Sequence, residues 1–232
     1  MIQRLAIDRG AILFDPDFVD APGPQMFNRT YWRERGALTE RAGGRGTIHF
    51  IDDGQRHWAL RRYLRGGVPA FLSRRHYLWC GEERTRSFHE LRLLHALRQR
   101  GLPVPSPVAA LYRRGLLTYS AQLITVRIAG ARPLSEMIAT GSMDDARWAA
   151  IGRCLRRFHD AGVHHADLNA QNILLDPQGA VWVLDFDRGR ERPPGAWREQ
   201  ALQRLARSLA KIGPAAGDWR HGFALLRIAH DG

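Results

Sequence analysis

The stretch "HHADLNAQNILLD", residues 164 to 176, packs two histidines, two aspartates and two asparagines around the apolar run Ile173-Leu174-Leu175. A second acidic cluster, "DFD", follows at 185 to 187. Asp and Asn side chains hold turns by bonding to nearby backbone, and each of these residues taken singly reads that way. Their order and spacing are less ordinary. His165, Asp167, Asn172 and Asp185 recur at intervals that one hydrophilic turn does not require.

The rest of the chain limits what such a cluster can serve. Its 232 residues suffice for one large domain or two small lobes with a proper core. Hydrophobic content of 44% and charged content of 25% are those of an ordinary globular protein. The balance of charge is unusual: 35 Lys and Arg against 23 Asp and Glu give a formal net charge of +12. Lys211 is the only lysine, so this charge is carried by arginine. Such a surface draws anionic partners: nucleic acid, an acidic membrane or a phosphorylated substrate. Cys80 and Cys154 lie far apart, match no metal-ligand spacing and fit a reducing compartment. The opening "MIQRLAIDRGAILFDPD" lacks the pattern of a signal peptide, and no window approaches eighteen consecutive apolar residues. The expected location is cytoplasmic, at most at a membrane surface.

Strand patterns dominate the first half. "GTIHFID", "HWALRRYL" and "LLTYSAQLITVRI" alternate as strands do, with turn chemistry such as "DDGQ" between them. "RTRSFHELRLLHALRQRG" carries Phe88, Leu91, Leu94 and Leu97 at helical spacing and stops at Gly101. "LPVPSPVAA" then reads as a proline-rich connector leading into the next strand. The second half is mostly helical: "PLSEMIATG", "DDARWAAIGRCLRRFHDAG", "AWREQALQRLARSLAKIG" and "DWRHGFALLRIA". Two short strands, "NILLD" and "AVWVLDFD", flank the turn "PQG". The expectation is an α+β fold of two lobes with a cleft between them. Residues 1–126 form a strand-rich N-lobe with one helix, and 127–232 a short helix-rich C-lobe, within one domain overall.

A glycine-rich turn, a basic residue on the next strand, a Glu on the following helix, then H-x-D-x4-N and D-F-x: this order resembles that of the protein-kinase-like superfamily. His165-Ala166-Asp167-Leu168-Asn169-Ala170-Gln171-Asn172 is similar to its catalytic loop, and Asp185-Phe186-Asp187 to its D-F-G motif. The resemblance implies that Asp167 accepts or orients the proton of the acceptor hydroxyl, and that Asn172 and Asp185 hold Mg²⁺ against ATP phosphates. Mg²⁺ takes such hard oxygen ligands and keeps waters and phosphate oxygens in its shell. His165 braces the loop, and Asn169 completes the catalytic group where a basic residue usually stands. Gly43, Gly44 and Gly46 would let backbone N–H groups approach the nucleotide. Arg61 stands where a strand lysine usually grips the phosphates, with Glu90 as its partner, because an Arg–carboxylate pair can be bidentate. Alternation allows only one of Arg61 and Arg62 to face the site, and Arg61 is the choice.

About forty-five residues follow Asp187, too few for a long activation segment. "WALRRYLRGG", "LPVPSPVAA", "GARPL" and "GVHHADLNAQNILLD" resemble the 3-deoxy-D-manno-octulosonic acid (Kdo) kinases of the lipopolysaccharide kinase group, over about Phe27 to Leu209. That resemblance implies ATP-dependent phosphorylation of the 4-hydroxyl of Kdo on a lipid A precursor, at the cytoplasmic side of the inner membrane. The charge agrees with it, since Kdo carries a carboxylate and lipid A precursors carry phosphates. The arginine- and aromatic-rich segment 65–79 is a candidate contact with an anionic membrane surface. A +12 chain is a poor host for the polycationic substrates of aminoglycoside phosphotransferases. Nucleic-acid binding through Arg clusters at 61–65, 74–75 and 113–114 leaves Asp167, Asn172 and Asp185 without a role, so no nucleic-acid partner is expected. Heptose kinases of the same pathway share the catalytic residues and remain the competing reading.

Overall fold

Alternation along the strands builds the first of two compact units, Met1–Ala96 with Ser106–Arg127; the second comprises Leu97–Pro105 and Ile128–Gly232. The computed structural model describes residues 1–41, 48–63, 77–212 and 219–232. Gly43, Gly44, Gly46 and residues 65–76 of the expected membrane segment lie outside the described residues. The chain is α+β, strand-rich first and helix-rich second, as the sequence led us to expect.

In the first unit, β1 (Gln3–Ile7) and β2 (Gly10–Phe14) form a hairpin, followed by a 3-10 turn at Pro24–Phe27 and α1 (Arg29–Glu34). Then come β3 (Leu38–Arg41), β4 (Ile48–Asp52), β5 (His57–Arg62), β6 (Tyr77–Leu78), α2 (Arg86–Gln99), β7 (Pro107–Arg114) and β8 (Thr118–Val126). The strands form one sheet in the order β1-β2-β7-β8-β5-β4-β3, with β6 pairing off β8. Every pairing is antiparallel. Side chains alternate across a sheet, so Trp58 and Leu60 of β5 enter a core with Phe27, Trp32, Leu111 and Ile124. Arg61 projects from the other face. Arg62 shares the core-side phase and lines an open cavity of about 420 Å³ with Arg29 and Arg113.

Strand β7 corrects the sequence reading, which took residues 102–110 as a connector. The irregular part ends at Ser106, and Val108 to Tyr112 are all buried. A strand covered on both faces loses the alternation by which strands are recognised. Its proline is tolerated because Pro107 is the first residue, next to a register shift. Helix α2 stops as expected, with Gly101 at φ +70.

The second unit holds β9 (Arg132–Pro133), α3 (Leu134–Ala139), α4 (Asp145–Asp160), β10 (Val163–His164), β11 (Ile173–Leu175), β12 (Val181–Val183), β13 (Arg190–Glu191), α5 (Trp197–Ala210) and α6 (Trp219–Asp231). Asp144 caps α4, its carboxylate accepting from the Arg147 N–H at 2.8 Å. The expected strand "AVWVLDFD" is shorter in the structure: β12 ends at Val183, and Asp185 turns the backbone away with φ +64. Helices α4 and α6 pack through reciprocal glycines. A Cβ on Gly152 would lie 2.2 Å from the Leu226 carbonyl oxygen, and one on Gly222 would lie 2.1 Å from the Trp148 ring. No helix among the described residues is long and apolar enough to cross a membrane.

The glycine contact gives a direct test. In a free helix, Gly→Ala is favourable by about 1 kcal/mol. In Gly152→Ala the new methyl meets backbone that cannot swing aside, so the variant should unfold at lower urea concentration than the parent. A rise in the urea midpoint would show that the helices do not need this close approach.

Candidate active site

The site in the second unit is organised around His165, which is buried. Its Nδ1 accepts the Asp167 N–H at 3.2 Å, and its Nε2 lies 2.7 Å from the Leu184 carbonyl oxygen. A backbone amide can only donate and a carbonyl can only accept, so the proton sits on Nε2 and the ring is neutral. Burial lowers the pKa of His165, outweighing the hydrogen bond to Leu184 and the charges of Asp185 and Asp167. Phe186, fully buried, meets the ring edge-to-face at 4.8 Å and stacks on Phe158 of α4 at 5.7 Å. One imidazole thus ties the residue at the start of the loop to the residue before Asp185.

The loop between Asp167 and Asn172 holds itself by amide bonds. Asn169 donates Nδ2–H to the Asp167 carbonyl at 2.9 Å, and its Oδ1 accepts the Gln171 N–H at 2.9 Å. Both ends of Asn169 are therefore committed to the turn. Asn172 donates Nδ2–H to the same Asp167 carbonyl at 3.0 Å, which turns its Oδ1 away from the loop. Its own carbonyl accepts the Leu184 N–H at 2.8 Å, bringing Asn172 beside the Asp185 segment. The Ala170 peptide is clamped from two helices: Ser208 Oγ of α5 accepts its N–H at 3.0 Å, and the Ser135 N–H of α3 donates to its carbonyl at 3.1 Å.

Helix α5 supplies a residue that the sequence reading missed. Arg204 donates Nε–H to Asp167 Oδ1 at 2.8 Å, and its Nη2 reaches the same oxygen. Arg204 and Ser208 are four apart, so both face the loop from one side of the helix. The Leu202, Leu205 and Leu209 stripe identifies the buried face of α5 but cannot say which loop its flank meets.

Asp185 occupies the left-handed region, where non-glycine residues are uncommon and Asp and Asn are the least strained. The Asp185 carboxylate and Asn172 Oδ1 are both hard oxygen donors, and the Leu184 N–H to Asn172 carbonyl bond links their two segments. No cluster of three acidic, His or Cys metal ligands occurs among the described residues. Two protein oxygens suit Mg²⁺ completed by phosphate and water.

In the first unit, Arg61 pairs with Glu90 on α2 through Nη2 and Oε2. Tyr63, two residues along and on the same face, donates its hydroxyl to Glu90 Oε2 at 2.5 Å and was not anticipated. Glu90 is only 1% exposed, and a buried carboxylate of this kind needs paired donors. At the described end of the 65–79 segment, Trp79 packs on Tyr112 with ring centroids 5.2 Å apart, under Arg114, while Leu78 is exposed.

A family model described as the lipopolysaccharide kinase (Kdo/WaaP) family matches residues 29–224. The chain belongs to that family, within the protein-kinase-like superfamily. It is 45% identical over 225 residues to the 3-deoxy-D-manno-octulosonic acid kinase of Stenotrophomonas maltophilia (strain K279a), covering 96% of this chain and 90% of the relative. The kinase of the same name from Xylella fastidiosa (strain M12) is 47% identical over 225 residues, with the same coverage. That of Xanthomonas axonopodis pv. citri (strain 306) is 47% identical over 204 residues, covering 88% and 81%.

Three histidines of the second unit predict sensitivity to acid. Burial, then the nearby His230, pushes His159 down to about 4. Burial, then Arg192 and Arg190, lowers His164, and burial lowers His165. Each takes up a proton near pH 6.5 in the unfolded chain but not in the folded one. Stability is therefore full above about pH 6.5 and falls as pH drops towards 4. His159 alone should remove on the order of 2 kcal/mol between pH 7.5 and 5. Thermal unfolding followed at both pH values measures this, and an unchanged melting temperature would contradict it.

Proposed function

We propose that this chain is an ATP-dependent Kdo kinase of lipopolysaccharide core assembly, and that the acceptor is the 4-hydroxyl of Kdo on a lipid A precursor. The observation that carries the reading is the neutral His165 joining the Asp167 loop to the Asp185 segment. It supports a division in which backbone contacts hold the site and a few polar ends remain for chemistry.

Asp167 takes the proton of the acceptor hydroxyl as that oxygen attacks the terminal phosphorus. Asn172 Oδ1 and the Asp185 carboxylate hold Mg²⁺. Bound there, the ion would supply positive charge that offsets the phosphate charge. His165 keeps the loop in register and exchanges no proton, because both its nitrogens are committed. Asn169 acts as a brace in the same way, although it stands where a basic residue usually serves. Arg61, fixed by Glu90 and Tyr63, grips the α- and β-phosphates, and Gly43, Gly44 and Gly46 are the candidates for backbone N–H contacts to the nucleotide. The acceptor carries a carboxylate and phosphates, which a +12 surface attracts, as it does an anionic inner-membrane leaflet.

Incubation with ATP and either a Kdo-bearing or a heptose-bearing lipid A acceptor, followed by mass spectrometry, tests the acceptor. One phosphate should be gained on the Kdo-bearing acceptor alone, and gain on the heptose-bearing acceptor alone would replace the reading with a heptose kinase. Asp167→Asn should lower kcat by about 10²- to 10⁴-fold while leaving ATP binding intact. Asp185→Asn, which keeps the backbone conformation, should abolish Mg²⁺-dependent ATP binding. Glu90→Gln should raise KM for ATP about tenfold, as expected when one charge-assisted contact of about 1.4 kcal/mol is lost.

A further inference from the structure

Phosphoryl transfer places developing negative charge on the transferred group, and kinase-type sites meet it with fixed cations. The loop from His164 to Asp176 carries none of its own. Its charged side chains are Asp167 and Asp176, and burial lowers the pKa of both its histidines, disfavouring their charged forms. Asn169, where a cation could stand, has both ends bound within the turn. The cation that contacts Asp167 comes from elsewhere: Arg204 of α5.

The geometry of that pair is asymmetric. Nε and Nη2 of Arg204 both address Oδ1 of Asp167, which leaves Oδ2 as the end available to a hydroxyl. The same arrangement leaves Nη1 of the guanidinium facing away from the carboxylate. Both side chains are about half exposed, at 49% for Arg204 and 52% for Asp167. Exposed pairs of this kind contribute little to stability, so a purely structural purpose is weak. Position, by contrast, is well defined, because Ser208 one helical turn further along binds the Ala170 N–H of the same loop.

We propose that Arg204 is a catalytic residue, the cation that the loop lacks. Nε and Nη2 hold Oδ1, so that Oδ2 faces the acceptor hydroxyl, while Nη1 donates to a non-bridging oxygen of the phosphoryl group in transfer. The acceptor oxygen forms its bond to phosphorus as the bond from phosphorus to the ADP oxygen breaks. The hydroxyl proton passes to Oδ2, and the electron pair leaves with ADP. This assignment rests on the reading of Asp167 as the base.

The experiment compares Arg204→Met, Arg204→Lys, Asp167→Asn and the double variant Asp167→Asn/Arg204→Met, with Arg207→Met as a control for surface charge on the same helix. Arg204→Met should lower kcat at least 100-fold with KM for ATP changed less than threefold, and millimolar ethylguanidine should restore part of the rate. Arg204→Lys, which keeps the charge but not the fork, should lose about tenfold or more. The double variant should be slower than Asp167→Asn alone, because the phosphoryl contact is lost as well as the base. Arg207→Met should match the parent.

A kcat for folded Arg204→Met within threefold of the parent overturns the proposal. So does an effect confined to KM, or a double variant no slower than Asp167→Asn. If Arg204→Met does not fold, Arg204→Lys decides, and full activity in that variant overturns the two-sided contact. Full activity in Asp167→Asn would instead remove the base assignment, and the loss in Arg204→Met would still test the phosphoryl contact.

Discussion

The arrangement of the second unit depends on one uncharged imidazole. His165 accepts from one backbone amide and donates to one backbone carbonyl, and only the neutral ring with its proton on Nε2 can do both. A second ring proton would set two donors against each other at the Asp167 amide. Burial disfavours that proton, and Phe186 packs edge-to-face against the ring. A side chain with both ring nitrogens engaged thereby links the loop to the residue before Asp185.

The support for that ring runs outward through packing. Phe186 stacks on Phe158 of α4, and α4 is held against α6 by glycines that bring one backbone close to the other. Helices α3 and α5 clamp the opposite side of the loop through Ser135 and Ser208. Short β-pairings carry the ends: Ile173 opposite Val183, and Val163 opposite Glu191. The loop has little regular structure itself, yet its main-chain groups at Asp167, Ala170 and Asn172 are all engaged. Polar loops become rigid in this way without a core of their own.

Much of this was legible in the sequence for identifiable reasons. Alternation in β5 decided between Arg61 and Arg62, and helical spacing with a glycine stop marked α2. Tyr63 follows from the same alternation two residues on, and the rule that chose Arg61 could have found it. Arg204 could not be found so, because its contact spans 37 residues and no local period records which loop an exposed helix flank meets. Strand β7 was hidden by Pro107 and by burial on both faces. The hairpin of β1 and β2, paired to β7, went unassigned because a two-residue turn holding Arg9 at φ +52 carries no Gly or Asn signal.

The arginine at position 61 also changes which reagents can report on this protein. Its guanidinium stays charged at any pH at which the fold survives. With Lys211 as the only lysine, nucleotide analogues that acylate an amine near bound phosphates would find none on β5. Among side chains, a survey of kinases by amine labelling has only Lys211 to report on. Reagents selective for guanidinium groups, such as vicinal dicarbonyls, are the ones that address a side chain of this kind.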